Sequence, residues 1–315
     1  MRVAVTGAGG RLGTSLLARL GAADFVSETL AWDLPDHDLD DPESAERLVA
    51  AHRPDVVIHA GAWTDVDGCA RQPDLAMRRN GTAVAEMARA CVRHDAWMIA
   101  ISTNEVFDGA RTDGRPYAPT DAPNPINAYG RAKLEGELGA REAFGSVPHL
   151  AIARTAWLFG APGLDFPRKI LTRARSLQSG DALALVDDEF GNPTYAPDLA
   201  GALVSLAGTA ATDTAATDTA ATSSVAAQGE GRGFDGIHHI VNAGTASRAE
   251  FAREALRLAG ISVPTLDVPM STWTRASTPP ARAMLEPTPL PGGNLLREWQ
   301  VALAEYITLL TLEEK

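Results

Sequence analysis

The chain has 315 residues, 45% of them hydrophobic and 22% charged, which is typical of a globular protein with a sizeable core. Its 40 acidic and 28 basic residues give a formal net charge of -12, which argues against a nucleic-acid partner and an anionic membrane surface. No apolar run has transmembrane length, and the first residues predict a strand rather than a targeting signal. The two cysteines, Cys69 and Cys91, fit reduced thiols of a cytoplasmic protein better than a disulfide framework.

Strand and helix patterns alternate through the first half of the chain. The predicted strands are 2–6, 29–33, 55–60, 97–102 and 150–156, and the predicted helices are 10–20, 42–52, 74–93 and 128–143. Continuous apolar strands that alternate with helices predict a parallel sheet covered on both faces. The expected fold class is therefore doubly wound α/β.

The pattern is looser after residue 157. The predicted helices there are 166–178, 197–206, 248–258 and 295–310, and the predicted strands are 182–186 and 237–241. Residues 209–221 repeat Thr-Ala-Ala-Thr-Asp, and Ser-, Gly- and Gln-rich sequence follows. Such sequence has too few large apolar residues to offset its ordering entropy, so 207–233 is predicted to be a disordered surface insertion. A repeat architecture is the alternative, but a five-residue period over three copies is too short for one.

A glycine-rich loop joins the first strand to the first helix. Gly7 allows the tight turn, Gly10 lets the backbone approach a pyrophosphate, and Gly13 permits close packing of helix and sheet. Arg11 and Leu12 lie within the same loop and are expected to contact the cofactor as well. A purely structural turn is the alternative, but the strand–turn–helix context favours dinucleotide binding.

These patterns predict a division of the chain into two regions. A Rossmann-type dinucleotide-binding domain is expected over 1–160, and segments near 190–207 and 234–245 are expected to join it. A smaller, irregular C-terminal region that binds the substrate is expected over 161–189 and 246–300.

An acidic residue, Asp33, ends the second predicted strand. Its carboxylate can accept hydrogen bonds from the adenosine ribose and would repel a 2′-phosphate, so NADH is favoured over NADPH. Arg11 leaves the alternative open, because it could hold that phosphate. Asp33 could also be an ordinary turn carboxylate, and Asp38 and Leu39 either contact the adenine or only cap the next helix.

Tyr129 and Lys133 are four residues apart on a predicted helix, so their side chains lie on one face. A phenol has an unperturbed pKa of about 10, and a nearby cation lowers it. Lowering it by about 3 requires about 4 kcal/mol, which a poorly solvated cation can supply. The pair therefore predicts a proton donor for a carbonyl that is being reduced.

Five further motifs occur in order along the chain. They are Val56–Asp67, Ser102–Gly109, Pro125–Glu137, Arg154–Gly160 and Phe190–Ala200. On these motifs and the glycine loop, the chain resembles the dTDP-4-dehydrorhamnose reductase family of extended short-chain dehydrogenases/reductases. The resemblance extends over most of the chain outside the insertion.

The resemblance implies a role for each catalytic residue. Tyr129 protonates the oxygen of the sugar C4 carbonyl, Lys133 lowers the tyrosine pKa and binds the nicotinamide ribose, and Thr103 orients the carbonyl. Thr103 could instead only cap the turn that follows it. The family also has small residues where the cofactor lies close, here Ala60, Gly61 and Ala62.

The part of the pattern that binds the sugar departs from the family. Glu105 replaces a tyrosine that normally lies near the sugar, His59 replaces a common asparagine, and Glu189 replaces a glutamine. A late segment that usually helps to bind the nucleotide-sugar matches poorly at 278–286, although Arg282 could face a phosphate. The substrate could therefore differ from dTDP-4-dehydrorhamnose.

The candidates for the substrate pocket share a position near the motifs named above. They are Trp63, Glu105, Phe107, Trp157 and Arg282. The two tryptophans could equally be core residues. Asn80 is expected either to anchor the active-site strand or to be solvated.

The leading hypothesis is an NAD(P)H-dependent reductase of the C4 ketone of a nucleotide-linked 4-keto-6-deoxysugar. A reductase of the same mechanism that acts on a different ketone is the first alternative. The second is a non-catalytic dinucleotide-binding regulatory protein. A metal enzyme is disfavoured, because His238 and His239 point to opposite faces of a strand and have no ligand cluster nearby. Family members are often homodimers and some hold magnesium at the interface, but the residues themselves indicate neither.

Overall fold

The computed structural model describes residues 1–219 and 234–313, and its centre is a six-stranded parallel sheet. The strands are β1 (Arg2–Thr6), β2 (Glu28–Trp32), β3 (Val56–His59), β4 (Trp97–Thr103), β5 (Leu150–Thr155), β6 (Leu158–Phe159), β7 (Leu183–Val186), β8 (Phe190–Gly191), β9 (Thr194–Tyr195), β10 (Gly236–His239), β11 (Asn242–Ala243), β12 (Ala246–Ser247), β13 (Thr265–Val268) and β14 (Leu296–Glu298). The order across the sheet is β2-β1-β3-β4-β5-β10, and every neighbouring pair is parallel.

Helices connect and cover these strands. The α-helices are α1 (Arg11–Leu20), α2 (Ser44–His52), α3 (Val66–Arg71), α4 (Pro73–Met77), α5 (Ala83–Arg93), α6 (Ala128–Phe144), α7 (Phe166–Arg175), α8 (Ala196–Thr219), α9 (Arg248–Leu258) and α10 (Trp299–Glu313). A π-helical turn, Arg78–Thr82, joins α4 to α5, and 3-10 turns lie at Asn104–Val106 and Met270–Thr272.

The sheet is buried on both faces. One face packs on α1 and α8, where Leu16 and Leu203 are fully buried, and the other packs on α2, α5 and α6, where Met87 is fully buried. Strands enclosed on both sides are buried along their whole length, as in β3, where apolar Val56, Val57 and Ile58 precede a buried His59. This confirms the predicted doubly wound α/β class.

A third apolar cluster lies beyond the sheet. It forms where α7, α9 and α10 meet, around the tilted, contacting rings of Phe159, Phe251 and Tyr306. A parallel pair, β7 with β13, packs beside it. The assignment of this region to the substrate stays a prediction.

The helix α8 differs from the prediction for the Ala/Thr-rich segment. It continues to Thr219, so the expected disorder of 207–233 does not hold for 207–219. Alanine has the highest helix propensity, and a helix already anchored by buried Leu203 and Leu206 extends without a new nucleus. The rest of the predicted insertion, 220–233, lies outside the described residues.

The predicted helix 74–93 is also interrupted, by the π-helical turn at Arg78–Thr82. Gly81 lies in this turn, and a Cβ there would fall 2.8 Å from Met77 Sδ.

Cys69 and Cys91 are free and buried, as predicted. No helix within the described ranges is both long and apolar enough to cross a membrane.

Candidate active site

A cleft of about 700 Å³ lies at the carboxyl ends of the central strands, the edge where ligands bind in open α/β sheets. It brings together most of the residues selected from the sequence. Those that line it are Gly7, Gly10, Arg11, Leu12, Gly13, Asp33, Asp38, Leu39, Ala60, Gly61, Ala62, Trp63, Thr103, Glu105, Tyr129, Lys133 and Trp157.

The glycine loop at one end of the cleft depends on the absence of side chains. Gly7 has φ +63°, and a Cβ there would lie 2.8 Å from Gly61 Cα. A Cβ at Gly13 would lie 2.1 Å from Gly7 O, so only glycine lets α1 pack this closely on β1. The helix begins after Gly10, and its first amides can therefore face an anionic ligand.

Asp33 lies directly beside this loop. Its Oδ2 accepts a hydrogen bond from Gly9 N at 2.6 Å, and its Oδ1 accepts one from Leu34 N at 2.9 Å. The carboxylate is thus fixed at the end of β2, where it can meet the adenosine ribose. His37 also lines this end of the cleft, and burial lowers its pKa.

The wall after β3 is flat because its residues are small. Thr6 Oγ1 accepts a hydrogen bond from Gly61 N at 2.9 Å, which ties this wall to β1. The same hydroxyl lies 3.0 Å from His59 Nδ1. Complete burial holds the pKa of His59 well below its usual range, so this histidine is a neutral core residue.

The catalytic candidates converge at the centre of the cleft. Thr103 ends β4, and Tyr129 and Lys133 lie on the first turns of α6. Asn127 caps this helix, with its Oδ1 accepting from Gly130 N at 2.8 Å. Thr103 Oγ1 accepts from Glu105 N at 3.2 Å, so it caps the following turn and also faces the cleft.

The pKa of Tyr129 differs from the expectation. Burial raises it, Glu105 and Cys69 raise it further, and an interaction with the Thr103 side chain lowers it. The predicted lowering by Lys133 is not seen, and the Lys133 ammonium donates to Ile101 O at 2.6 Å. Burial lowers the pKa of Lys133 itself to about 8, against an opposing effect of Glu137.

Two of the five substrate-pocket candidates lie outside the cleft. Phe107 is fully buried and stacks on Tyr117 with ring centroids 4.3 Å apart. The Arg282 guanidinium lies 4.4 Å from the ring centroid of Phe190, while its backbone N donates to Gly109 O. Both side chains are held by packing, so the prediction that they contact a substrate does not fit this geometry.

The three remaining candidates, Trp63, Glu105 and Trp157, do line the cleft. Asn80 Oδ1 accepts from Trp63 N and its Nδ2 donates to Trp63 O, both at 2.9 Å, so Asn80 anchors the loop after β3. Trp157 has a left-handed backbone with φ +44° and covers Gly191, where a Cβ would lie 2.5 Å from its ring. Backbone strain of this kind often marks a functional site.

Comparison with known proteins agrees with this geometry. The family described as RmlD substrate binding domain matches residues 1–312. The chain belongs to this family.

Relatives of this RmlD-family chain include enzymes of known name. It is 42% identical over 210 residues to the dTDP-4-dehydrorhamnose reductase of Mycobacterium tuberculosis (strain CDC 1551 / Oshkosh), a match that covers 65% of this chain and 66% of that protein. The crystal structure of a dTDP-4-dehydrorhamnose reductase from Clostridium acetobutylicum has a TM-score of 0.85 and 30% identity, over 99% of this chain and 100% of that one. The Bacillus anthracis enzyme of the same name, in complex with NADP, has a TM-score of 0.83 and 26% identity, over 98% and 99% of the two chains.

Arg248 is among the cleft residues of this RmlD-family chain that the sequence did not predict. The Arg248 guanidinium lies 3.6 Å from the ring centroid of Trp157 and donates to Glu189 Oε1 at 2.9 Å. No sequence signal pointed to it, since it is the first residue of α9 and follows an ordinary capping residue, Ser247. Its position depends on tertiary packing between distant segments.

Within residues 1–219 and 234–313, no group of three or more His, Cys, Asp or Glu side chains is arranged to hold a metal ion.

Proposed function

We propose that this protein reduces the C4 ketone of a nucleotide-linked 4-keto-6-deoxysugar with NADH or NADPH. The observation that carries the proposal is the shared cleft, in which Thr103, Tyr129 and Lys133 lie beyond the glycine loop. The reductase names of the Clostridium and Bacillus relatives, which match nearly the whole chain, support it.

The residues present fit a nicotinamide dinucleotide. A Cβ at Gly7 would lie only 2.8 Å from Gly61 Cα, and the lack of side chains at both glycines leaves a flat wall beside the start of α1. Such a loop suits a pyrophosphate, and Asp33 suits the adenosine ribose. When bound, a reduced nicotinamide supplies the hydride for the ketone carbon.

The chain's own residues supply the proton and the orientation. The raised pKa of Tyr129 keeps the phenol protonated at neutral pH, so it can donate its proton to the ketone oxygen. Thr103 Oγ1 accepts from Glu105 N and donates to Asn104 Oδ1 at the long distance of 3.3 Å, so its proton can turn from that weak contact to the same ketone oxygen. Hydride on carbon and proton on oxygen together give the alcohol.

Lys133 binds rather than reacts in this scheme. With a pKa of about 8 it is mainly cationic at pH 7, and one of its three donors is used by Ile101 O. The remaining donors can bind the nicotinamide ribose. This places the cofactor beside Tyr129 and favours the transfer by proximity.

We infer a preference for NADH from Asp33, whose fixed carboxylate repels a 2′-phosphate. The Bacillus anthracis relative was solved with NADP, so the preference requires a direct measurement. Arg11, which also lines the cleft, is the cation nearest the loop that could offset the repulsion.

A reductase of a different ketone is the second candidate function. Charged groups at the substrate end, Glu105 and Arg248, favour it because they give the pocket specific hydrogen-bonding demands. Both candidates use the same proton donor.

The test is oxidation of NADH and of NADPH with enzymatically prepared dTDP-4-dehydrorhamnose, beside the variant Tyr129→Phe. We expect turnover that the variant lowers by at least about 100-fold, the usual contribution of a general acid. Dinucleotide binding without turnover of this ketone would exclude the first candidate. Turnover undiminished in the variant would exclude Tyr129 as the proton donor.

A further inference from the structure

Glu105 has an unusual position between the two catalytic elements. It lies two residues after Thr103, in the turn that Thr103 caps, and its backbone abuts the first turn of α6, where a Cβ at Gly130 would lie 2.1 Å from Glu105 O. Its Oε2 accepts from Asn127 Nδ2 at 2.7 Å, and Asn127 is the N-cap of α6. The carboxyl group is therefore held in a fixed relation to Tyr129.

Only part of this carboxyl group is used by the fold. In the described part of the chain its recorded side-chain partner is Asn127, bound to Oε2, and Oε1 has none. The residue also lines the cleft. The cleft is open to solvent, so water can serve this oxygen until a ligand with a hydrogen-bond donor takes its place.

The Glu105 carboxyl group lies close enough to the proposed proton donor to act on it electrostatically. Glu105 is among the groups that raise the pKa of Tyr129. Its own pKa is raised by burial and by Glu189, while Asn127, Arg248 and Arg275 oppose this. A ligand whose ketone reaches Tyr129 would therefore place its neighbouring substituents near Glu105.

A purely structural role does not explain the residue. The bond to Asn127 needs one acceptor oxygen, which a glutamine amide would also provide. The second oxygen adds desolvation cost and no contact within the described chain. It calls for a function in the cleft.

We propose that Glu105 determines specificity by accepting a hydrogen bond from a hydroxyl or ammonium group on the sugar carbon next to the ketone. The inference rests on the proposed reductase function and narrows its substrates to ketones with such a donor. A ketone that lacks it leaves the carboxyl group unpaired, which costs about 10- to 100-fold in kcat/KM.

The experiment compares dTDP-4-dehydrorhamnose, its 3-deoxy analogue and its 3-amino-3-deoxy analogue as substrates. The proteins are the wild type, Glu105→Leu and the nearly isosteric Glu105→Gln. We expect the wild type to favour the two donor ketones by about 10- to 100-fold, and Glu105→Leu to lose this preference by slowing them alone. In Glu105→Gln the amide oxygen stays on Asn127 Nδ2 and the amide nitrogen takes the place of Oε1 as a donor. A hydroxyl can accept from this nitrogen and an ammonium cannot, so the variant should keep the hydroxyl ketone and lose the amino ketone, which separates the two groups.

Equal losses on all three ketones in both variants would overturn the proposal, because they would indicate a structural role. A wild type without preference would overturn it too. If the wild type reduces none of the three ketones, the proposed function fails. The role of Glu105 is then tested by calorimetry, which measures the affinities for dTDP-rhamnose and its 3-deoxy analogue. Tighter binding of dTDP-rhamnose by at least about tenfold, kept in Glu105→Gln and lost in Glu105→Leu, would support the proposal; equal affinities in the wild type would refute it.

Discussion

The substitution Lys133→Met should stabilise the ligand-free protein at neutral pH although it removes a catalytic residue. The Lys133 side chain is buried, and its pKa falls from 10.5 to about 8. A difference of about 2.5 corresponds to about 3 kcal/mol, by which the buried ammonium destabilises the folded state below pH 8. Active sites commonly carry such a cost.

The net effect includes a lost hydrogen bond. Methionine has no hydrogen-bond donor for Ile101 O, and the lost hydrogen bond costs about 1 kcal/mol of unfolding free energy. The unfolding free energy at pH 7 should therefore rise by about 2 kcal/mol. Between pH 8 and 10.5 the unfolded chain holds the proton and the folded chain does not, so wild-type stability rises with pH through this window. By pH 9.5 the amount by which the unfolding free energy of the variant exceeds that of the wild type should shrink by about 2 kcal/mol.

The assay is urea denaturation without cofactor at pH 7, 8, 9 and 9.5. Lys169→Met is the matched control, because Lys169 is exposed on α7 and should change stability by less than about 0.5 kcal/mol at every pH. Other groups titrate alike in the compared proteins and cancel. A difference between Lys133→Met and wild type that does not depend on pH would refute the reasoning, as would a destabilised variant at pH 7.

Three further substitutions test the rest of the account. Gly13→Ala should lower the unfolding free energy by about 1–3 kcal/mol in urea denaturation, since the new Cβ would meet Gly7 O. In the control Gly201→Ala on α8 the new Cβ meets nothing, so the unfolding free energy should rise by up to about 1 kcal/mol. Equal effects of the two substitutions would contradict this. Asp33→Asn should lower the NADH-to-NADPH ratio of kcat/KM by about tenfold, and an unchanged ratio would remove Asp33 from cofactor selection. Glu137→Gln should lower the unfolding free energy by about 3–5 kcal/mol in the same assay, because it leaves the buried Arg154 guanidinium without its carboxylate partner at 2.6–2.9 Å. A loss below about 1 kcal/mol would show that the ion pair is dispensable for stability.

The fold and the centre of the site could be predicted because their signals are local. Glycine spacing directly after a strand, and a tyrosine four residues before a lysine on a helix, specify geometry within a single element. Parallel strands then bring their carboxyl ends to one edge of the sheet. For this reason Gly7, Asp33, Thr103 and Tyr129 could be placed in one cleft from the sequence.

The substrate end could not be predicted as well, because it depends on contacts between distant segments. Phe107 follows an active-site motif yet turns into the core against Tyr117, and Arg248 enters the cleft by stacking on Trp157. The extent of α8 was missed for a related reason. Composition indicated disorder, whereas tertiary anchoring of the preceding turns let the alanine-rich sequence continue as helix.

The central claim is the transfer of hydride to a sugar C4 carbon with Tyr129 as the proton donor. The most direct measurement is reduction of dTDP-4-dehydrorhamnose with NADH or NADPH that carries deuterium at the transferred position, followed by mass spectrometry and NMR of the product. We predict one deuterium on C4 of a dTDP-6-deoxyhexose, formed by the wild type and nearly absent with Tyr129→Phe. Cofactor oxidation without deuterium on C4, or unchanged product from the variant, would contradict the account.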